Sequence, residues 1–363
     1  MGNNNFGAPT SQVQNPPNPD LRWERTGQFN LGVDLASIHN RLSGSLEYYS
    51  KKGVDLLGPQ LLAPQTGIGQ NGGTQFSGNT SSMQGRGVDV VLNSQNLVGQ
   101  FHWVTNFLFS YNTDWVTKYI PITNNSQLVT TAGAGGSNAF VVGKPVHGLY
   151  SYRWAGLDSV GNPQGMLNGK VSENYSGIKS LNDSSQLKYS GPLTPRYFGS
   201  FRNTFMYKGF SLSFNITYKF GYYFRRNSVR YYNLFNTGFN YGTQDYAKRW
   251  QSPGDEKKTN VPSLIYPTSS TSRDDFYNGS EVLIDKGDHI RLQDIQLSYD
   301  LTKRQIARLP VQGIRLYLYA NNIGIIWKAN HDGIDPDAIP YNGSYYTFFP
   351  NPISISGGIK IDW

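Results

Sequence analysis

The sequence predicts an all-β protein, an antiparallel transmembrane β-barrel segment of about nine strands, on three observations. Apolar residues recur at every second position in one segment after another, the links between these segments alternate short and long, and helical periodicity is nearly absent. Successive strand side chains point to opposite faces, so such alternation builds one apolar wall and one polar wall. Phe210, Leu212, Phe214, Ile216, Tyr218 and Phe220 are separated by Ser211, Ser213, Asn215, Thr217 and Lys219. That length suits a tilted membrane strand, which needs about 9–11 residues. Phe101 to Tyr111, Ile314 to Ala320 and Ile353 to Trp363 repeat the pattern. Phe29 to Leu35, Leu42 to Tyr48, Val88 to Leu92 and Gly199 to Phe205 show it more weakly. Between Ile290 and Tyr299 the alternation changes phase at Gln293-Asp294, which predicts a β-bulge.

Composition supports this reading. Hydrophobic residues make up 37% of the 363 positions and charged residues 15%, against roughly 45–50% and 25% in an ordinary globular chain. Aromatics nevertheless reach 14%, with 25 Tyr, too many for a disordered chain. An excess of Tyr suits surfaces where a ring meets apolar material at one end and water at the other. The absence of cysteine removes disulfides, thiolate nucleophiles and Cys-ligated metals. No run approaches the roughly eighteen apolar residues of a membrane helix. The formal charge of +8 is scattered, and its densest group, Arg225, Arg226 and Arg230, reads as a solvated loop and not a nucleic-acid face.

The links sharpen the architecture. Short ones join 35 to 42, 93 to 101 and 205 to 210, whereas long excursions occupy 51–86, 112–196, 223–288 and 323–351. The link 300–312 is intermediate, with a helical turn or two expected from Thr302 to Arg308. Outer-membrane barrels place short turns on the periplasmic side and long loops outside. Residues 1–28 then read as the end of an extracellular loop and 29–363 as barrel. A chain that starts outside and ends in the periplasm crosses an odd number of times. Single-chain bacterial barrels have an even count, so the expectation is a partial barrel, the C-terminal part of something longer. The competing reading is a soluble or surface-anchored β-sandwich that binds glycans.

The segments themselves are familiar. Leu21-Arg-Trp-Glu-Arg-Thr26, Arg41 to Lys52 with Asp55-Leu-Leu57, and Gly85-Arg-Gly-Val-Asp89 come first, then Gly156-Leu-Asp158 with Gly161-Asn-Pro163. Asn203 to Phe210, Gly287 to Tyr299, Leu316 to Asn322 and Gly333-Ile-Asp-Pro336 follow. In this order they resemble the barrel of SusC/RagA-type TonB-dependent transporters of Bacteroidetes. The resemblance implies a roughly twenty-two-stranded outer-membrane barrel around an N-terminal plug. It further implies a SusD-like lipoprotein over the outer opening and import of glycans, oligosaccharides or peptides driven through TonB. The plug, its TonB-contact segment and a signal peptide have no counterpart in these residues. Neither an enzyme nor a cofactor is expected.

Candidate sites reduce as follows. The final strand, Ile355, Gly357, Ile359, Ile361 and Trp363, alternates to a terminal aromatic, as barrel strands offered to the assembly machinery do. Gly67-Ile-Gly-Gln-Asn-Gly72 matches a nucleotide fingerprint in letters but lacks the following helix. His39, His102, His147, His289 and His331 form no metal-binding spacing, and His102 belongs on a polar face. Asp332, Asp335 and Asp337 could hold calcium, as could the Asp158 to Gln164 segment, although each is better read as a polar turn. No metal site is therefore assigned. Asp274-Asp275 could be imagined as glycosidase carboxylates, but no supporting pocket is legible. Tyr222, Tyr223, Tyr231, Tyr232, Phe235, Phe239 and Tyr241, mixed with the three arginines, either meet substrate or lid or pack among themselves.

Overall fold

The computed structural model describes residues 2–3, 9–10, 17–61, 75–120, 124–131, 139–236, 244–267, 271–302, 311–339 and 349–362. One 9-stranded antiparallel sheet dominates it. Its strands are β1 (Arg25–Ala36), β2 (Leu42–Leu61), β3 (Gln75–Leu97), β4 (Phe101–Tyr119), β5 (Tyr197–Tyr207), β6 (Phe210–Phe220), β7 (His289–Thr302), β8 (Gly313–Lys328) and β9 (Ser354–Asp362). Each pairs with its neighbour in the chain, so the sheet is a meander with β1 and β9 at its edges. Among the described residues no helix is long and apolar enough to cross a membrane, so any crossing falls to strands.

Register carries the alternating stripes across the sheet without a break. Val33 lies opposite Leu46, Leu46 opposite Val90, and Val90 opposite Phe109. Phe107 faces Phe201, Phe201 faces Ile216, and Ile216 faces Leu292. Beyond the bulge, Ile295, Ala320 and Ile355 continue the stripe. These side chains are not sandwiched against a second sheet: Leu31 is 59% exposed and Ile355 71%. A soluble protein does not spread so wide an apolar patch over its surface. Hydrocarbon is the environment that fits it.

Aromatic rings edge this face at both ends. Phe101, Trp103, Phe205 and Tyr207 cluster beside the short turns, with Phe210 and Tyr299 4.2 Å apart between centroids. Tyr111 and Tyr197 stack at 5.0 Å at the other end, where Phe220 meets Trp327. Paired girdles of this kind mark the two bilayer interfaces of a barrel. Polar side chains on the apolar face satisfy one another, as lipid requires. Asn203, buried, accepts from Trp103 Nε1 at 2.9 Å and Thr105 Oγ1 at 2.7 Å, while Asn96 donates to Thr105. Tyr218 lies over Gly199, where a Cβ would collide with it, and its hydroxyl donates to the Leu108 carbonyl at 2.8 Å.

The bulge expected at Gln293-Asp294 is present: register shifts between Leu292 and Asp294, opposite Asn322, whose φ is 57°. The excursion expected at 51–86 is largely strand, because β2 runs on to Leu61 and β3 starts at Gln75. Gly, Ser and Asn fill much of these arms. Beyond the hydrocarbon nothing selects for alternation, so pairing continues after the hydropathy signal has stopped. Thr302 still belongs to β7, and residues 303–310, where a helical turn was expected, lie outside the described residues.

The two largest excursions fold into a cap at the long-loop end. Gly148–Tyr152 pairs with Leu187–Pro192, and Trp154–Leu157, Pro163–Leu167 and Lys170–Ser172 form a second small sheet. The compact apolar cores lie here. Leu128, Val129, Tyr150, Tyr152, Ile178 and Phe276 make one, while Val229, Tyr231, Val261, Tyr277 and Leu283 make the other. Trp154 touches both. Gly165 lets Phe276 approach its backbone so closely that a Cβ could not fit.

Leu46→Lys on the apolar face should destabilise the membrane-inserted protein by about 2–4 kcal/mol. Ser45→Lys, one residue away on the opposite face, should cost far less. Denaturant titration in detergent or lipid measures both, and equal losses would show that the faces have been assigned the wrong way round.

Candidate functional site

The polar face carries a transverse row set by strand register. Asn93, Asn106, Arg202, Asn215, Asp294, Asn321 and Ser354 sit opposite one another in turn from β3 to β9. Asn106 donates to Asn93 Oδ1 at 2.6 Å. The Arg202 guanidinium grips Asp294 with two bonds of 2.9 Å and also reaches Ser213. Gln293, pushed out of register by the bulge, donates to Asn321 at 3.0 Å. Bulges re-aim side chains in this way. The row is wet, hydrogen-bonded and close to charge-neutral, a wall suited to an aqueous interior.

Toward the cap the wall becomes ionic and holds a strap. Residues 329–339, after β8, return over the sheet and are tied to β7. Arg291, nearly buried, binds both oxygens of Asp335 at 2.6 Å. Asp337 accepts from Lys219 Nζ at 2.7 Å and lies 3.3 Å from His289 Nε2. Burial works against the charged form of Asp337. Hydrogen bonds from His289 and Lys219 outweigh it and hold the carboxyl far below the usual carboxylate range. The contribution of this contact is therefore complete above an unfolded carboxylate pKa of about 4 and is lost only as pH falls toward the folded value. Beneath the strap Arg291, Gln293, Asn321, Asn322, Asp335 and Phe349 help to line a cavity of about 420 Å³.

The cap uses the arginine and tyrosine residues of the 223–288 excursion internally. Arg225 donates to the carbonyls of Val129 (2.8 Å) and Tyr150 (2.5 Å), clamping one excursion to the other. Arg226 pairs with Asp245, and Arg230 with Asp275. Tyr222 and Tyr231 are buried, and Tyr231 donates to the Pro262 carbonyl at 2.7 Å. For these residues self-packing is the structural answer. The side chain of Phe235, and Phe239 and Tyr241 altogether, lie outside the described residues.

Other candidates resolve in the same manner. Asp274 is buried and accepts from the Tyr232 amide, while Asp275 is shared by Lys179 and Arg230, so the pair is structural. Asp158 turns its carboxylate onto the amides of Val160 and Asn162, closing a polar turn. His102 lies on the polar face, opposite Met206. Asp332 parts from Asp335 and Asp337 and points toward Arg226. Among the described residues no set of three or more His, Asp or Glu side chains converges as a metal centre. Gly67 to Gly72 and Trp363 lie outside the described residues. The strap went unread in the sequence: Arg291 and His289 look like any polar positions of an alternating strand, and Asp335 is 44 residues from Arg291.

A lipid-facing sheet with aromatic girdles, a wet wall and a cap at the long-loop end defines a segment of an outer-membrane β-barrel. Its relatives specify the kind. No family model matches the sequence. TonB-dependent receptor P3 of Formosa agariphila is 26% identical over 95% of this chain and 34% of its own length. SusC of Bacteroides thetaiotaomicron is 24% identical over 89% of the chain and 31% of its own length. Among solved structures the RagAB peptide transporter superposes with a TM-score of 0.67 at 24% identity, over 95% of this chain and 36% of its own. The chain is similar in sequence to these TonB-dependent receptors and shares the fold of the RagAB barrel. It spans about a third of the length of the relatives it matches.

Asp335→Asn should loosen the strap, because it removes the carboxylate that Arg291 grips by both oxygens and leaves the guanidinium only Asn322 at 3.0 Å and Asp337 at 3.4 Å, a loss of about 1.5–3 kcal/mol. Limited proteolysis within residues 329–339 should accelerate markedly, and less so in Asp337→Asn. Unchanged cleavage in Asp335→Asn would mean that other contacts hold the strap.

Proposed function

We propose that this chain forms part of an outer-membrane, TonB-dependent nutrient importer. Its sheet contributes barrel wall, its polar face lines the interior, and its cap contributes to the extracellular vestibule. The observation that carries this reading is the division of one continuous sheet into a face suited to hydrocarbon and a face whose polar groups are paired beside water. The relatives' names support dependence on TonB and, for RagAB, a peptide cargo; the family resemblance adds a SusD-like lipoprotein against the cap, a plug through which TonB acts, and a glycan, oligosaccharide or peptide as substrate. No cofactor takes part. The soluble glycan-binding sandwich loses its support with the exposed apolar stripes.

The same reading gives β9 a role in assembly. Ile355, Ile359 and Ile361 lie on the exposed edge strand, and Gly357 and the terminal Trp363 complete the alternation. An edge strand offers free backbone groups to a pairing partner. We infer that the barrel-assembly machinery engages it.

Cells lacking the protein should fail to grow on one polymeric carbohydrate or peptide source, and dissipating the proton gradient should reproduce the defect. A lipoprotein should co-purify with the protein from detergent-solubilised outer membranes. Quantitative recovery of the chain in aqueous buffer as a monodisperse monomer would refute the proposal. Deleting residues 359–363 should abolish membrane insertion, and normal heat-modifiable insertion of that truncation would remove the assembly role.

A further inference from the structure

The aromatic girdle at the long-loop end changes character at one corner of the sheet. From β4 to β8 it presents Tyr111, Tyr197, Phe220 and Trp327. On β1, β2 and β3 that level is held by Arg25, Lys52 and Arg86, all exposed. Period two puts the three on the lipid side: Arg25 with Phe29 and Leu31, Lys52 with Leu46 and Tyr48, Arg86 with Val88 and Val90. Register then sets them on one line. Gly27 faces Lys52 and Ser50 faces Arg86, so Arg25, Lys52 and Arg86 are diagonal neighbours, each a strand and two residues from the next. One more such step, from Thr113 opposite Arg86, reaches Tyr111 of the girdle. The periplasmic strand ends step in the same direction, since Leu42 faces Ser94 although β3 runs on to Leu97, and Leu97 faces Trp103 although β4 starts at Phe101. The line of cations therefore lies along the membrane plane, at the outer rim of the apolar stripe.

The acids of this corner do not cancel the line. Asp55 is shared by Arg25 at 2.7 Å and Arg22 at 3.5 Å, two guanidinium groups on one carboxylate. Glu24 accepts from the Leu57 amide, while Glu47 and Asp89 face each other on the wet side. Among the described residues Lys52 and Arg86 have no acidic partner. Arg86 lies instead over the Trp115 ring at 5.6 Å, which orients its guanidinium along the barrel surface. At Gly27, opposite Lys52, the space that a Cβ would enter is open. A cation on the lipid side is tolerated only at an interface, where its long stem carries the charge to the headgroups. Arginine meets phosphate through a planar fork and lysine as a point charge. Two diagonal steps span about 15 Å, more than a single phosphate bridges. We propose that Arg25, Lys52 and Arg86 form a site for a bisphosphorylated glycolipid of the outer leaflet, of the lipid A kind. One phosphate meets Arg86 and Lys52, the other meets Arg25, and the acyl chains lie on Leu31, Leu46 and Val90 below. The site rests on the membrane-barrel reading, which places the long-loop end outside, and is independent of what the barrel imports.

Native mass spectrometry of the protein purified in detergent and titrated with lipid A tests the site. The parent should hold lipid A, and the same glycolipid stripped of its phosphates should not bind. Lys52→Gln and Arg86→Gln should each weaken binding by about tenfold or more, with Arg86→Lys falling between parent and Arg86→Gln. Lys51→Gln is the control, because that ammonium lies on the wet side over the Tyr49 ring at 5.3 Å; it should bind as the parent does. Binding unchanged in the Lys52→Gln, Arg86→Gln double variant would overturn the site. Equal retention of phosphatidylglycerol would reduce the line to general attraction for anionic lipid and overturn it too. Displacement of lipid A by equimolar inorganic phosphate would assign the cations to a soluble anion, with the same consequence. Should the neutral variants fail to insert, Gly27→Glu decides: a carboxylate beside Lys52 should weaken binding by a similar factor, and unchanged binding there overturns the proposal. Failure of the barrel reading looks different. A chain that stays in aqueous buffer without detergent refutes that reading, whereas one that fractionates with outer membranes yet ignores these substitutions refutes the lipid site alone.

Discussion

The structure depends on one constraint, that backbone amides and carbonyls in hydrocarbon must bond to one another because no water is there to receive them. A meander of neighbouring strands meets this condition everywhere except at its two edges. The same constraint extends to side chains. Asn203, Thr105, Asn96 and the Trp103 indole close a hydrogen-bonded group on the lipid side, and Tyr218 spends its hydroxyl on a main-chain carbonyl. The edges β1 and β9 are not paired with each other among the described residues. In a bilayer they require strands beyond those described.

Once one face is committed to lipid, the other follows from the period of two. Every lipid-facing Leu, Ile or Phe places its neighbour on the wet wall, so the row from Asn93 to Ser354 is a by-product of register as much as a selected surface. What has been shaped within it is local. The bulge at Gln293 turns an amide inward, Arg202 and Asp294 cancel each other, and Arg291 with Asp335 anchors the returning strap. A wall whose charges are internally matched presents little net field. Passage along it would then be governed by hydrogen bonding and shape more than by attraction of one sign of charge.

Legibility in the sequence tracked the hydrocarbon boundary. Within the bilayer the solvent imposes a two-residue period, so all nine strands and the bulge could be read from residues such as Phe210 to Phe220 and Gln293. Outside it the period vanishes, and β2 and β3 continue as paired strands that hydropathy cannot distinguish from loop. The cap was less legible still, because its cores join residues far apart in sequence. Phe276 stacks on Tyr152 and Tyr175, and Arg225 reaches back to Val129. Chemical character alone could not tell whether those arginines and tyrosines face a ligand or one another. The division of Asp332 from Asp335 and Asp337, adjacent in sequence yet engaged with different partners, had no sequence signal at all.

The cap owns its apolar interior, centred on Phe276, Tyr277 and Leu283, and borrows little of it from the sheet. Wall and cap therefore answer to different solvents and can diverge at different rates. A lineage could exchange the whole outer ensemble through its chain connections at the strand ends, acquiring a new recognition surface while retaining an unaltered transmembrane scaffold.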